Sequence, residues 1–195
     1  AGSVELVRWA KSKGWNVTAE VTPHHLLLTD ELVATYDPVY KVNPPLRTEE
    51  DVAALRAALA DGTIDAVATD HAPHALEDKE TEFSAAAFGM TGLETALSVV
   101  ATSMVETGLL DWAGVADRMS VRPAAIGRLS KQGQPLEAGA PANFVLVDPA
   151  SRWTVDAAAG ASRGRNTPFA GRELTARVVA TFLRGRPTVI DGKPA

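Results

Sequence analysis

From Thr48 to Asp70 the sequence writes a helix and then a strand with only a tight turn between them, and that order confines the chain to a parallel α/β architecture. Thr48-Glu49-Glu50-Asp51 is a capping signature with acidic residues in the first turn. The helix it opens buries Val52, Leu55 and Leu59 and stops at Gly62. Ile64 to Thr69 follows as a short apolar, β-branched run. The same order occurs upstream, where Val4 to Lys13 puts Val4, Val7 and Ala10 on one helical face, Gly14 stops it, and Val17 to Thr22 reads as a strand. This alternation is the rhythm of an α/β barrel, in which polar residues at the carboxyl ends of strands sit where catalysis happens.

Both predicted strands run out into histidines. The chain places all four in Thr22-Pro23-His24-His25 and Ala68-Thr69-Asp70-His71-Ala72-Pro73-His74. The second strand ends abruptly at Asp70 and is broken at Pro73. On pattern alone Asp70 has two uses, an acid/base carboxylate or the cap of the next turn. Pro23 interrupts the first strand, so His24 and His25 sit at its exit. Neighbours on extended backbone point opposite ways, so at most one of them can face a pocket. A His-His pair could ligate a metal, but a part-buried histidine more commonly holds a backbone partner, and we read both as structural. Asn43, in Lys41-Val42-Asn43-Pro44-Pro45-Leu46-Arg47, precedes two prolines that stiffen and extend the backbone. Its amide can donate and accept toward a ligand, or cap a turn.

Hydrophobic residues make up 46% of the chain and charged ones 22%, as in an ordinary α/β protein. The absence of cysteine excludes disulfides and thiolate metal sites. No apolar stretch approaches a membrane span and no signal pattern opens the chain, so a cytoplasmic protein without a membrane partner is expected. A net charge of −5 argues against a nucleic-acid partner. The modest basic cluster of Arg163, Arg165 and Arg172 reads as solvated loop.

Asp30 to Tyr40 reads as a polar-apolar loop, and Ala75 to Ala87 as a mobile loop over the site. Thr91-Gly92-Leu93-Glu94 caps a long helix from Leu93 to Glu106, with Leu93, Leu97, Val100 and Met104 as its buried stripe. Two packing helices follow, Asp111 to Met119 and Pro123 to Leu129. From Gly133 the character changes: Asn143 to Asp148, Arg177 to Arg184 and Val189 to Gly192 are strand-like. Two domains are expected, residues 1–132 and 133–195.

The segment Asp70 to His74, together with Asn43-Pro44-Pro45-Leu46-Arg47 and Phe88-Gly89-Met90-Thr91-Gly92-Leu93-Glu94-Thr95, resembles the dihydroorotases of the amidohydrolase superfamily, in their longer bacterial form. Glu20 to His25 and Arg165-Asn166-Thr167-Pro168-Phe169 belong to the same pattern, so the resemblance covers essentially the whole chain. Ala87 stands where the family pattern has proline, which loosens that loop. The resemblance implies the C-terminal part of a TIM-like (β/α)8 barrel for residues 1–132, and strands of a flanking small β-sandwich for 133–195. It also implies that the chain is incomplete. The family's His-x-His pair, its bridging carboxylate or carbamylated lysine and its fifth-strand histidine have no counterpart here, and the sixth-strand histidine falls just before Ala1. An unpaired sheet edge in the second domain points the same way.

By the same resemblance, one or two Zn²⁺ ions serve as cofactor and Asp70 is both metal ligand and catalytic acid/base. Asn43 and His74 hold the carboxylate and ring of dihydroorotate or N-carbamoyl-aspartate, and Phe88 and Gly89 offer main-chain contact, glycine letting backbone approach closely. His71, like His24 and His25, supports from behind. The missing N-terminal half, a homodimeric copy and an aspartate transcarbamoylase are the implied protein partners. Two other functions compete: a different cyclic amidase, such as an allantoinase or dihydropyrimidinase, and an inactive scaffold for aspartate transcarbamoylase. The Asn43 motif with His74 favours a substrate carboxylate over the first, and the retained Asp70 favours activity over the second.

Overall fold

The computed structural model describes all of residues 1–195. Its first helix, α1 (Gly2–Ser12), carries Val4 into the core and is followed by Gly14 at φ +73°, a conformation that glycine adopts without steric cost. After β1 (Glu20–Val21) comes α2 (Glu49–Asp61), where the Thr48 hydroxyl accepts the Asp51 N–H at 3.4 Å and Gly62 closes the other end at φ +85°. The strand β2 (Ala66–Val67) pairs parallel with β1, Glu20 opposite Ala66 and Val21 opposite Val67. Bonds from Asp65 N to Ala19 O and from Ala68 N to Val21 O prolong the pairing. Val4, Val21, Leu26, Leu59, Ile64 and Met104 are among the buried side chains of the core beneath these strands. Each fully buried aliphatic of this size contributes about 1.5–3 kcal/mol.

Several local expectations give way to the structure. The ladder is two residues long, and Val17 to Ala19 and Ile64 lie outside it. Pro23 is helical (φ −55°, ψ −41°) and starts a 3₁₀ turn, His24–Leu26, that buries both histidines instead of sending them to opposite faces. The expected loop from Asp30 holds two 3₁₀ helices, Asp30–Thr35 and Pro38–Tyr40. The Asn43–Pro44 peptide bond is cis, a departure from uniformly extended backbone. The segment expected to be mobile contains α3 (Leu76–Lys79), and its Ala87 N–H donates to Asp78 O at 3.0 Å.

The next helix begins later than expected: α4 (Ala96–Val100) runs on as a π-turn, Ala101–Val105, and Leu93 lies outside it, 60% exposed. The two packing helices are one helical run, α5 (Trp112–Ala116), a π-turn Asp117–Val121, and α6 (Arg122–Ile126). Pro123 lacks an N–H to donate, and the wider π-turn just before it accommodates the missing bond.

The C-terminal strands form an antiparallel meander, β3 (Phe144–Thr154), β4 (Glu173–Leu183), β5 (Arg186–Ile190) and β6 (Lys193–Pro194), in that spatial order. Here β3 runs past Pro149 because the register shifts between Asp148 and Arg152, and a bulge tolerates a residue that cannot donate. The sheet lies on α4: Ser98 Oγ donates to Ala176 O at 2.7 Å, and Trp153 Nε1 donates to the same carbonyl at 3.0 Å. A second core mixes Leu28, Val42, Leu46, Met90 and Val99 with Val155, Phe169 and Leu174, so residues on both sides of Gly133 share it.

Candidate active site

Asp70 lies at the exit of β2, three residues beyond Val67, with φ +47°. This left-handed region is costly for a residue with a Cβ, and aspartate is among the few that enter it. Strain of this kind gathers at functional positions. The Asp70 carboxylate is exposed and holds no hydrogen bond within the chain, while its charge reaches His25. His71, the next residue, is occupied elsewhere. Its Nδ1 accepts the N–H groups of Gly92 at 3.1 Å and Leu93 at 3.3 Å, which leaves the ring proton on Nε2.

His25 sits under the proline pair. Its Nε2 faces Pro44 O at 3.1 Å and Pro45 O at 3.3 Å, so Nε2 must donate, and Nδ1 then accepts from the Thr22 hydroxyl at 2.6 Å. Burial lowers its pKa, and the two carbonyls and Asp70 partly oppose that. His24 packs against it with ring centroids 4.5 Å apart. Its Nε2 is buried without a partner, and burial, aided by His25, pushes its pKa down to about 3.

Three of the expected substrate residues converge. His74 Nε2 donates to Phe88 O at 2.8 Å, and an added Cβ on Gly89 would stand 3.1 Å from that same nitrogen and 2.6 Å from Ala72 Cβ. Only glycine fits there, at φ +126°. Asn43 is exposed and joins the group through its own segment, since Gly89 N donates to Lys41 O at 2.9 Å. The Phe88 ring is exposed, and the Lys41 ammonium lies 4.5 Å from its centroid.

Two further side chains hold this arrangement, neither of which was given a role in the sequence. Asn166 is buried, its Oδ1 accepting His74 N–H at 3.0 Å and its Nδ2 donating to Ala72 O at 2.9 Å and Gly89 O at 3.2 Å. Lys79 is also buried, with three carbonyl partners on Lys41, Ala87 and Gly89. The motif that holds Asn166 was visible by its resemblance, but nothing in it distinguishes this amide from a turn residue, and a lysine in Glu77-Asp78-Lys79-Glu80 looks solvated. A cavity of about 180 Å³ opens between Asp37, His74, Lys79, Arg165 and Asn166. A larger cleft of about 470 Å³ lies beyond His71, between Glu94, Trp153, Asp156 and Arg177, and does not include Asp70.

A free carboxylate such as that of Asp70 suits a zinc ion as one ligand. Protein zinc sites need three or four. No group of three histidine, aspartate or glutamate side chains is placed so that it could hold a metal ion, and His25 and His71 have their Nδ1 atoms engaged. These residues therefore fit a metal only as donors of a single ligand.

The amidohydrolase family profile matches residues 10–188, and the chain belongs to that family. It is 71% identical over 193 residues to a protein of Streptomyces coelicolor named dihydroorotase, covering 99% of this chain and 45% of the relative. A Mycobacterium tuberculosis protein of the same name is 59% identical, again across 99% of this chain and 45% of its own length. The chain thus spans less than half the length of these relatives. Among solved structures, an L-hydantoinase (dihydropyrimidinase) from Arthrobacter aurescens superposes with a TM-score of 0.91 at 32% identity, covering 98% of this chain and 43% of that one. A dihydropyrimidinase from Brevibacillus agri gives 0.91 at 25% identity, covering 100% and 44%. No helix is long and apolar enough to cross a membrane.

Proposed function

We propose that the chain supplies one wall of the active site of a dihydroorotase, which opens dihydroorotate to N-carbamoyl-aspartate and closes it again. The observation that carries this is an unpartnered carboxylate, Asp70, held in a left-handed conformation at a strand exit. The identity of 71% to a relative named dihydroorotase supports the choice of substrate. In this proposal residues 1–132 contribute the last part of a barrel and 133–195 part of a small β domain. The other metal ligands come from outside these 195 residues, in a cytoplasmic enzyme.

In the hydrolytic direction a water oxygen bonds to the ring carbonyl carbon, the carbon–nitrogen bond breaks, and one proton must travel from the water to the leaving nitrogen. Asp70 is the group that takes and returns that proton. Zn²⁺, when bound, would polarise the carbonyl and acidify the water. Asn43 and His74 grip the substrate carboxylate. With Nε2 committed to Phe88 O, His74 has only Nδ1 to offer, and that nitrogen donates when the ring is cationic.

Asp70→Asn in the full-length enzyme should lower kcat for dihydroorotate by at least about a hundredfold, with KM within about threefold. A variant keeping more than a tenth of the wild-type kcat would overturn the assignment. The hydantoinase-like structures favour a second reading, a cyclic amidase for uncharged rings, and dihydrouracil as competing substrate separates the two. A higher kcat/KM for dihydrouracil than for dihydroorotate would establish that second reading.

A further inference from the structure

Lys79 is a buried cation with no carboxylate bonded to it, Asp37 acting on it through its charge alone. At 8% exposure it donates to Ala87 O at 2.9 Å, Gly89 O at 3.0 Å and Lys41 O at 3.4 Å. An ammonium has three N–H donors and no acceptor, so the whole donor capacity goes to main chain. Burial, with the neighbouring Lys41 charge, pushes its pKa down. Desolvating an ammonium is costly, and a loop that needed only filling would do better with methionine.

Gly89 is the point where this lysine meets Asn166. The Gly89 carbonyl accepts both from Lys79 Nζ and from Asn166 Nδ2, and the Gly89 N–H is taken by Lys41 O. Phe88 O is taken by His74, which leaves the Phe88 N–H as the donor of this pair with no partner inside the chain. The same two side chains reach the other substrate segments: Lys79 touches the strap that carries Asn43 through Lys41 O, and Asn166 accepts the backbone N–H of His74.

We propose that Lys79 and Asn166 are positioning residues that clamp the Gly89 carbonyl from two sides, so that the Phe88 N–H is presented to a carbonyl of the substrate ring. The choice of dihydroorotate as that substrate rests on the function proposed above, while the clamp itself is a property of the apo protein. Neither side chain touches substrate. Each acts by fixing the main chain between His74 and Asn43, so that the donor to the ring is already in place when substrate arrives and less ordering has to be done on binding.

The test uses the full-length enzyme with Lys79→Met, Asn166→Ala and the double variant. Each single variant should raise KM for dihydroorotate about tenfold and leave kcat within about threefold. The double variant should be little worse than either single one, because both act on one carbonyl. Unchanged KM in both single variants, or effects that multiply in the double variant, would overturn the clamp. If the lysine variant does not fold, amide hydrogen exchange on the wild type decides: Gly89 should be protected without ligand and Phe88 only with N-carbamoyl-aspartate. Protection of Phe88 in the free protein would overturn it too. A wild type that does not turn over dihydroorotate but shows Gly89 protected and Phe88 open would sink the proposed function and leave the clamp standing.

Discussion

His24 shows how one residue can tie stability to pH. Its imidazole is 2% exposed, its Nε2 has no partner, and burial holds its pKa near 3. An unfolded histidine titrates near 6.5, so between those values the unfolded chain carries a proton that the folded ring refuses. Unfolding therefore becomes easier as pH falls below about 6.5, by up to about 1.4 kcal/mol per pH unit for one such group. We expect unfolding free energy, from urea titrations at pH 7.5 and 5, to fall by about 2 kcal/mol more in wild type than in His24→Leu. Equal losses in both proteins would refute this. In the sequence the pair reads as part-buried supports with a backbone partner each, which His25 has and His24 lacks, and the 3₁₀ turn that Pro23 starts turns inward two side chains that an extended segment would have parted.

At the scale of elements, the amino end of β2 is as constrained as its carboxyl end is open. Asp65 is buried and accepts from Lys11 Nζ through both oxygens at 2.7 Å, from Ala19 N–H at 2.9 Å and from Arg122 at 3.5 Å. Those partners bring α1, the residue just before β1 and α6 to a single carboxylate. Asp65→Ala should destabilise the protein by about 3 kcal/mol, the low end for a broken buried pair because Lys11 is partly exposed. The change should spare kcat of the folded enzyme, since Asp65 and Asp70 lie beyond opposite ends of β2 and share no partner. Denaturant midpoints with turnover per folded molecule would check both halves, and a lost kcat would contradict the separation. The helices with strong punctuation were legible, as Thr48 and Gly62 mark α2. The π-turns before Pro123 and after Val100 were not, since no residue type announces an i to i+5 bond. The length of β3 was hidden by Pro149, whose missing donor a register shift absorbs.

For the whole molecule the decisive quantity is how many metal ligands the 195 residues bring together. With no cluster of three candidates, this chain alone should bind less than about a tenth of an equivalent of zinc after dialysis and should not open dihydroorotate. Near-stoichiometric zinc by atomic emission would contradict that. The family resemblance brought Asp70, Asn43, His74, Phe88 and Gly89 into view, whereas pattern alone left Asp70 and Asn43 open between a site and a turn cap. Lys79 stayed hidden and Asn166 appeared only as part of a resembling motif without a role, since a side chain that binds only main chain leaves no pattern of its own. Asn166 also changes what the C-terminal sheet means for the protein. It reaches the Asp70–His74 loop from the segment that links β3 to β4, 92 positions along the chain from His74. A protein trimmed after Gln132 would keep Asp70, His74 and the strand that presents them, yet lose the amide that fastens their loop. The sheet is thus no detachable appendix. Proteolysis within the link between β3 and β4 would leave Asp70 and His74 in the chain but unfasten the loop that carries them, and circular permutants opened there should be the least tolerated.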